Sequence, residues 1–167
     1  HRLSSNFGLW LGPRGGYNYY IKFARFLEEN GNGKLNRNSS DICTNHKVYC
    51  EKLKTFFLDC QQRFDVNYWK LDGFLVRPPQ PDPQGNYISG GYQGMCYVTE
   101  HWERWIDIFQ AMRDQRGAKR NDLWINLTCY VNPSPWFLQW GNSVWMQNSQ
   151  DIGRLNVKRP SQLDQLL

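Results

Sequence analysis

Apolar and polar positions along the chain follow two rhythms, and the switch between them marks out the elements. Phe7-Gly-Leu-Trp-Leu11 is a short apolar run stopped by Gly12-Pro13-Arg14-Gly15-Gly16, which predicts a strand and a turn. Over residues 17–29 apolar side chains recur every three or four positions, which predicts a helix. Asn30 to Ser40 is polar and rich in Gly and Asn, a surface loop. It is not a calcium loop, because Leu35 stands where glycine is needed and no Glu closes the motif. A second helix, capped by Thr44 or Asn45 and ending near Arg63, should turn Val48, Leu53, Phe56, Phe57 and Cys60 inward. Val66 to Leu71 reads as a strand ending at Asp72-Gly73, followed by a long Pro/Gly loop from Pro78 to Gly94. Thr99 to Gln115 is amphipathic, with Thr99 as a cap and Trp102, Trp105, Ile106, Phe109 and Met112 on one face. Leu123–Thr128 is the next strand, Pro135–Trp140 a short helix, and Ser143–Met146 a last strand.

Strands separated by helices predict an α/β fold with a parallel sheet, since parallel strands need crossover connections. About four strands are evident, whereas a closed eight-stranded barrel takes about 250 residues. Two architectures remain: part of a (β/α)8 barrel, or a doubly wound sheet. No internal repeat is visible.

Composition narrows the choice less than the pattern does. The chain has 167 residues, 40% hydrophobic and 16% aromatic, enough to build a core. No run approaches the roughly 18 apolar residues of a membrane span. Opening at His1 with no basic and apolar leader, it reads as a segment of something longer, and its localisation is unreadable. The net charge of +5 is a weak argument for polyanions. Its densest cluster, Arg113, Arg116, Lys119 and Arg120, reads as a helix C-terminus and the loop after it, and no nucleic-acid motif accompanies it. Five cysteines without C-x-x-C spacing imply buried thiols, with no zinc site or disulfide scaffold. His1, His46 and His101 suit no triad or metal site and are expected at surfaces or helix ends. Asn38 and Asn126 fit glycosylation sequons, but Asn126 falls inside a strand.

Core packing accounts for most of the eight Trp and nine Tyr, but at this density some usually face a ligand, and flat sugar faces stack well on such rings. In parallel α/β folds chemistry sits at the C-terminal ends of strands. Asp72 stands at one such end, and Asp151 follows the last strand with one strand between them. Strands two apart are separated by about 10 Å. Side chains leaning inward can close part of that gap toward the 5–5.5 Å of a retaining glycosidase carboxylate pair. Such residues also serve as ordinary turn or cap aspartates.

Three segments carry a resemblance. Trp69-Lys70-Leu71-Asp72-Gly73 resembles the K-x-D nucleophile strand of melibiase-type α-galactosidases and α-N-acetylgalactosaminidases, glycoside hydrolase clan D. Gly8 to Gly16 resembles the strand before it, and Trp145 through Ser149-Gln150-Asp151-Ile152 resembles the segment bearing the acid/base. The three follow the family's chain order and together cover nearly the whole sequence. The resemblance implies that residues 1–167 are one segment, the central part of a partial (β/α)8 TIM barrel, about strands three to six. It implies hydrolysis with retention through a covalent glycosyl-enzyme, Asp72 attacking and Asp151 acting as acid and then base. Lys70 would bind sugar hydroxyls, and Trp10, Trp145 and Tyr130 are candidate substrate contacts. The implied substrate is an α-galactoside or α-N-acetylgalactosaminide, with no cofactor, metal, nucleic acid or membrane. The rest of the parent barrel, or a partner chain, would complete the fold. Gly73-Phe74 replaces a polar residue common in the family, and no Arg lies between Trp145 and Asp151. Both departures bear on sugar specificity. A catalytically silent sugar-binding barrel and a doubly wound ligand-binding domain are the alternatives. The second lacks any G-x-G-x-x-G after a strand.

Overall fold

A computed structural model describes residues 7–15, 20–35, 42–72, 91–117, 120–128 and 135–145. The elements run β1 (Phe7–Leu11), α1 (Tyr20–Glu29), α2 (Lys47–Phe64), β2 (Val66–Asp72), α3 (Gly91–Gly117), β3 (Trp124–Thr128), a 3-10 helix Pro135–Gln139, and β4 (Ser143–Val144). The predicted order of strands and helices therefore holds. The sheet has the order β1-β2-β3-β4 with every neighbouring pair parallel. This is an α/β fold with an all-parallel sheet.

Strand parity divides the sheet into two unlike faces. Trp69, Leu71, Ile125 and Leu127 are fully buried and share one apolar cluster with Phe57, Trp105, Ile108, Phe109 and Met112 of the helices. Trp69 anchors this side, edge-on to Phe57 with ring centroids 4.8 Å apart. Removing a Trp of this size from water contributes roughly 4–6 kcal/mol before entropy is counted. The opposite face carries Trp10, Tyr68, Lys70, Trp124, Ser143 and Trp145, and its Trp, Tyr and Phe7 rings remain largely exposed. Gly8 belongs to this face because a Cβ there would stand 2.8 Å from the Tyr68 ring.

The helix ends follow local rules. Gly31 closes α1 in the left-handed region at φ 68°, with Asn32 N–H donating to the Leu27 carbonyl and Gly31 N–H to that of Glu28. That is the Schellman arrangement, which glycine enters without a Cβ penalty. Asp65, at φ 57°, turns the chain directly from α2 into β2 with no loop at all.

Several expectations need correction. α3 begins at Gly91, so Gly91–Gly94 is helical and Thr99 lies inside the helix instead of capping it. Once Trp105, Ile108 and Phe109 anchor the helix, each added N-terminal residue gains a backbone hydrogen bond despite its glycines. α2 starts after His46, whose side chain makes no capping bond. Both expected caps are occupied elsewhere: Thr44 Oγ1 pairs with His101 Nε2, and Asn45 accepts from Arg104. Val48 and Phe56 are exposed, because the buried stripe runs through Tyr49, Cys50, Leu53, Phe57, Cys60 and Gln61. Polar anchors rotate that stripe: Tyr49 donates to the Pro13 carbonyl and Gln61 to that of Met112. On α3, Ile108 is buried and Ile106 only partly so. His101 is buried in mid-helix, away from any helix end. Cys50 and Cys60 are buried free thiols, Cys43 is partly buried and Cys96 is exposed. Among the described residues no helix is long and apolar enough to cross a membrane.

Candidate functional site

The parallel strands all end at one rim, and the residues of the polar face converge there. Register places Trp10, Lys70, Asn126 and Ser143 on one rung across all four strands. Asp72 pairs with Thr128 one rung higher, and Trp145 follows β4 on the same side, its N–H bonded to the Leu127 carbonyl.

Asp72 is buried at the end of β2, and its Oδ2 accepts a 3.1 Å hydrogen bond from the Trp10 indole N–H. Lys70 Nζ lies 4.6 Å from the Trp10 ring centroid and 4.5 Å from that of Trp145. The ammonium is thus held between two indole rings drawn from the first and last strands of the sheet. Cation–π contacts of this length contribute about 0.5–2 kcal/mol each, according to desolvation. Trp10 therefore fixes two groups at once, the lysine through its ring and the carboxylate through its nitrogen. The cluster thus combines one buried carboxylate, a lysine ammonium and two exposed indole rings.

Of the expected site residues, Trp10, Lys70, Asp72 and Trp145 come together. Asp151 and Tyr130 lie outside the described residues, as does Asn38. Asn126 is buried in β3, where its amide donates 2.7 Å to Ser143 Oγ, so it is no glycosylation acceptor. Ser143 Oγ also accepts from the Trp124 indole N–H at 3.1 Å. Sequence reasoning passed over Asn126, Thr128 and Ser143. The available signal was the alternation Trp124-Ile-Asn-Leu-Thr128, because a parallel strand covered on both faces reads as continuously apolar. No group of three or more His, Cys, Asp or Glu able to hold a metal occurs among the described residues.

No protein-family model matches the chain, and neither a curated protein nor a solved structure matches it.

The other rim of the sheet holds the basic cluster. Arg116, buried in the last turn of α3, donates to Asp65 at 2.5 Å and to Asp122 at 2.8 and 3.0 Å. Arg120 adds a 2.8 Å bond to Asp65, and Asn67 reaches Asp122 at 3.3 Å. Hydrogen bonds from Arg116 hold both carboxyls below their ordinary range. Arg113 turns elsewhere, to the Trp140 carbonyl at 2.8 Å. Of this cluster, Arg116 and Arg120 are paired with carboxylates and Arg113 with a backbone carbonyl, while Lys119 lies outside the described residues.

Proposed function

We propose that this chain is the central part of a (β/α)8 barrel, about strands three to six, that hydrolyses α-galactosides or α-N-acetylgalactosaminides with retention. The observation that carries the reading is the convergence of Trp10, Lys70, Asp72 and Trp145, drawn from three strands, at the C-terminal rim. Strand order supports the barrel. Right-handed crossovers that always step the same way leave every helix on one face, whereas a doubly wound sheet needs a reversal. The polar aromatic face would then be the barrel's interior, which would explain why its Trp and Tyr rings stay exposed among the described residues.

In this reading Asp72 attacks the anomeric carbon while Asp151 protonates the leaving oxygen. Asp151, now a carboxylate, then activates the water that releases the sugar. The Trp10 N–H orients the attacking carboxylate. Lys70 donates to sugar hydroxyls, and Trp145 offers its ring to the apolar sugar face, with Tyr130 a further contact. No cofactor is needed. The part given to Asp151 and Tyr130 rests on the sequence resemblance.

The test uses the whole polypeptide that carries these residues and aryl α-galactosides. Asp72→Ala should lose turnover by several orders of magnitude, since no other group forms the covalent intermediate. Asp151→Ala should still form that intermediate from a substrate with a good leaving group, and azide should rescue its breakdown. Azide then gives the α-glycosyl azide with Asp151→Ala and the β-glycosyl azide with Asp72→Ala. Opposite stereochemistry would reverse the two roles. Sugar binding without any turnover in the wild type would mean a silent sugar-binding barrel.

A further inference from the structure

The described residues hold one feature that this mechanism leaves unused. Thr128 is 3% exposed, yet its Oγ1 has no hydrogen-bond partner among the described residues. One rung lower on the same face, the Oδ1 of Asn126 is likewise unpartnered, although its amide is held by Ser143. Stranding a buried hydroxyl costs about 1–3 kcal/mol. Nine buried side-chain polar atoms among the described residues lack a partner, and these two stand on the rungs of Asp72 and Lys70. Thr128 is the register partner of Asp72, and Asn126 that of Lys70.

We infer that Thr128 is a substrate-positioning residue: its hydroxyl binds a hydroxyl of the sugar ring whose anomeric carbon faces Asp72. The inference rests on the glycosidase reading and deepens it. A threonine hydroxyl both donates and accepts, so it suits a sugar hydroxyl, which does the same. A carboxylate partner would use only the donor. Its place on β3 opposes the Trp10 side of Asp72, so the ring is held from the strand across the site from the indole. Trp10 orients the nucleophile, and Thr128 orients the electrophile. Polar groups left unsatisfied in the free protein and satisfied in the complex also give specificity, because an analogue lacking the matching hydroxyl strands them again.

The experiment compares Thr128→Val and Thr128→Ser with wild type in the whole polypeptide, reading thermal stability and kcat/KM together. Removing a stranded hydroxyl should leave Tm unchanged or raise it, while kcat/KM falls roughly 10- to 100-fold. Thr128→Ser should retain most of the activity. Aryl α-galactosides lacking one ring hydroxyl at a time give the decisive reading. Wild type should discriminate against one of them, and Thr128→Val should lose that discrimination alone. If Thr128→Val kept wild-type kcat/KM and the same deoxy-sugar profile, the inference would be overturned while the glycosidase reading stood. If Tm and kcat/KM fell together for every substrate, Thr128 would be a packing residue and the inference would fail. A wild type that neither turns over nor binds galactosides would overturn both readings.

Discussion

The two rims of the sheet use similar residues to opposite ends. At the N-terminal rim the cations Arg116 and Arg120 are matched by the carboxylates of Asp65 and Asp122, and Asn67 donates to Asp122 while its own Oδ1 stays unpartnered. At the C-terminal rim the Lys70 cation is held by indole rings, and the buried hydroxyl of Thr128 has no partner among the described residues. A network whose charges are paired within the fold serves stability. An open one gives up stability and keeps its hydrogen-bonding capacity for something else. In parallel α/β folds the same division separates the stabilising rim from the chemical one.

The largest expected effect breaks the stabilising rim. Arg116→Ala leaves Asp122 without its cation and Asp65 with Arg120 alone, and should lower stability in denaturant unfolding more than the changes below. Activity per folded molecule should change little, because the substitution is at the rim remote from Asp72. A loss of activity in the folded fraction, with stability intact, would erase the distinction between the rims.

Acid sharpens the comparison by separating the Arg116 network from another buried contact. His101 ties α3 to the segment before α2 through Thr44, and burial, aided by Arg104, lowers its pKa to about 4. An unfolded histidine titrates near 6.5, so between pH 6.5 and 4 the unfolded chain binds the extra proton and stability falls as pH falls. The loss should reach roughly 2–3 kcal/mol by pH 4. His101→Gln should flatten that window. The carboxyls of Asp65 and Asp122 are lowered by Arg116, so their contribution is complete above the ordinary carboxylate range and is lost only at lower pH. The His101–Thr44 contact should therefore fail before the Arg116 network. A wild-type stability profile flat from pH 6.5 to 4 would contradict this.

The smallest effect probes the chemical rim. Trp10→Phe keeps a ring beside Lys70 and removes the indole N–H from Asp72. It should lower kcat/KM on aryl α-galactosides about tenfold, the value of one hydrogen bond to a charged group, with Tm nearly unchanged. If Tm fell and the kinetics did not, the Trp10–Asp72 bond would belong with the stabilising contacts.

Much of this architecture was legible as pattern. The elements and their order followed from apolar period and breakers, because burying one face of a helix or a strand imposes that period on any sequence. Asp72 could be singled out because the C-terminal ends of parallel strands are where side chains escape the sheet, whereas Lys70 and Trp10 were reached through the family resemblance. Register and stripe orientation were not legible. Whether Phe56 or Phe57 turns inward differs by one residue on a helix, and polar anchors such as Tyr49 and Gln61 decide it. Thr44 and Asn45 have ideal capping chemistry, yet His101 and Arg104, nearly sixty residues away along the chain, claim them. Lys70 between two indoles and Thr128 beside Asp72 are products of strand pairing across 56 to 75 residues of chain. Local periodicity determined which segments are helix and strand, because that choice depends on neighbours in sequence. The tertiary structure alone decided which polar groups satisfy each other and which stay open, because a hydrogen bond depends on neighbours in space.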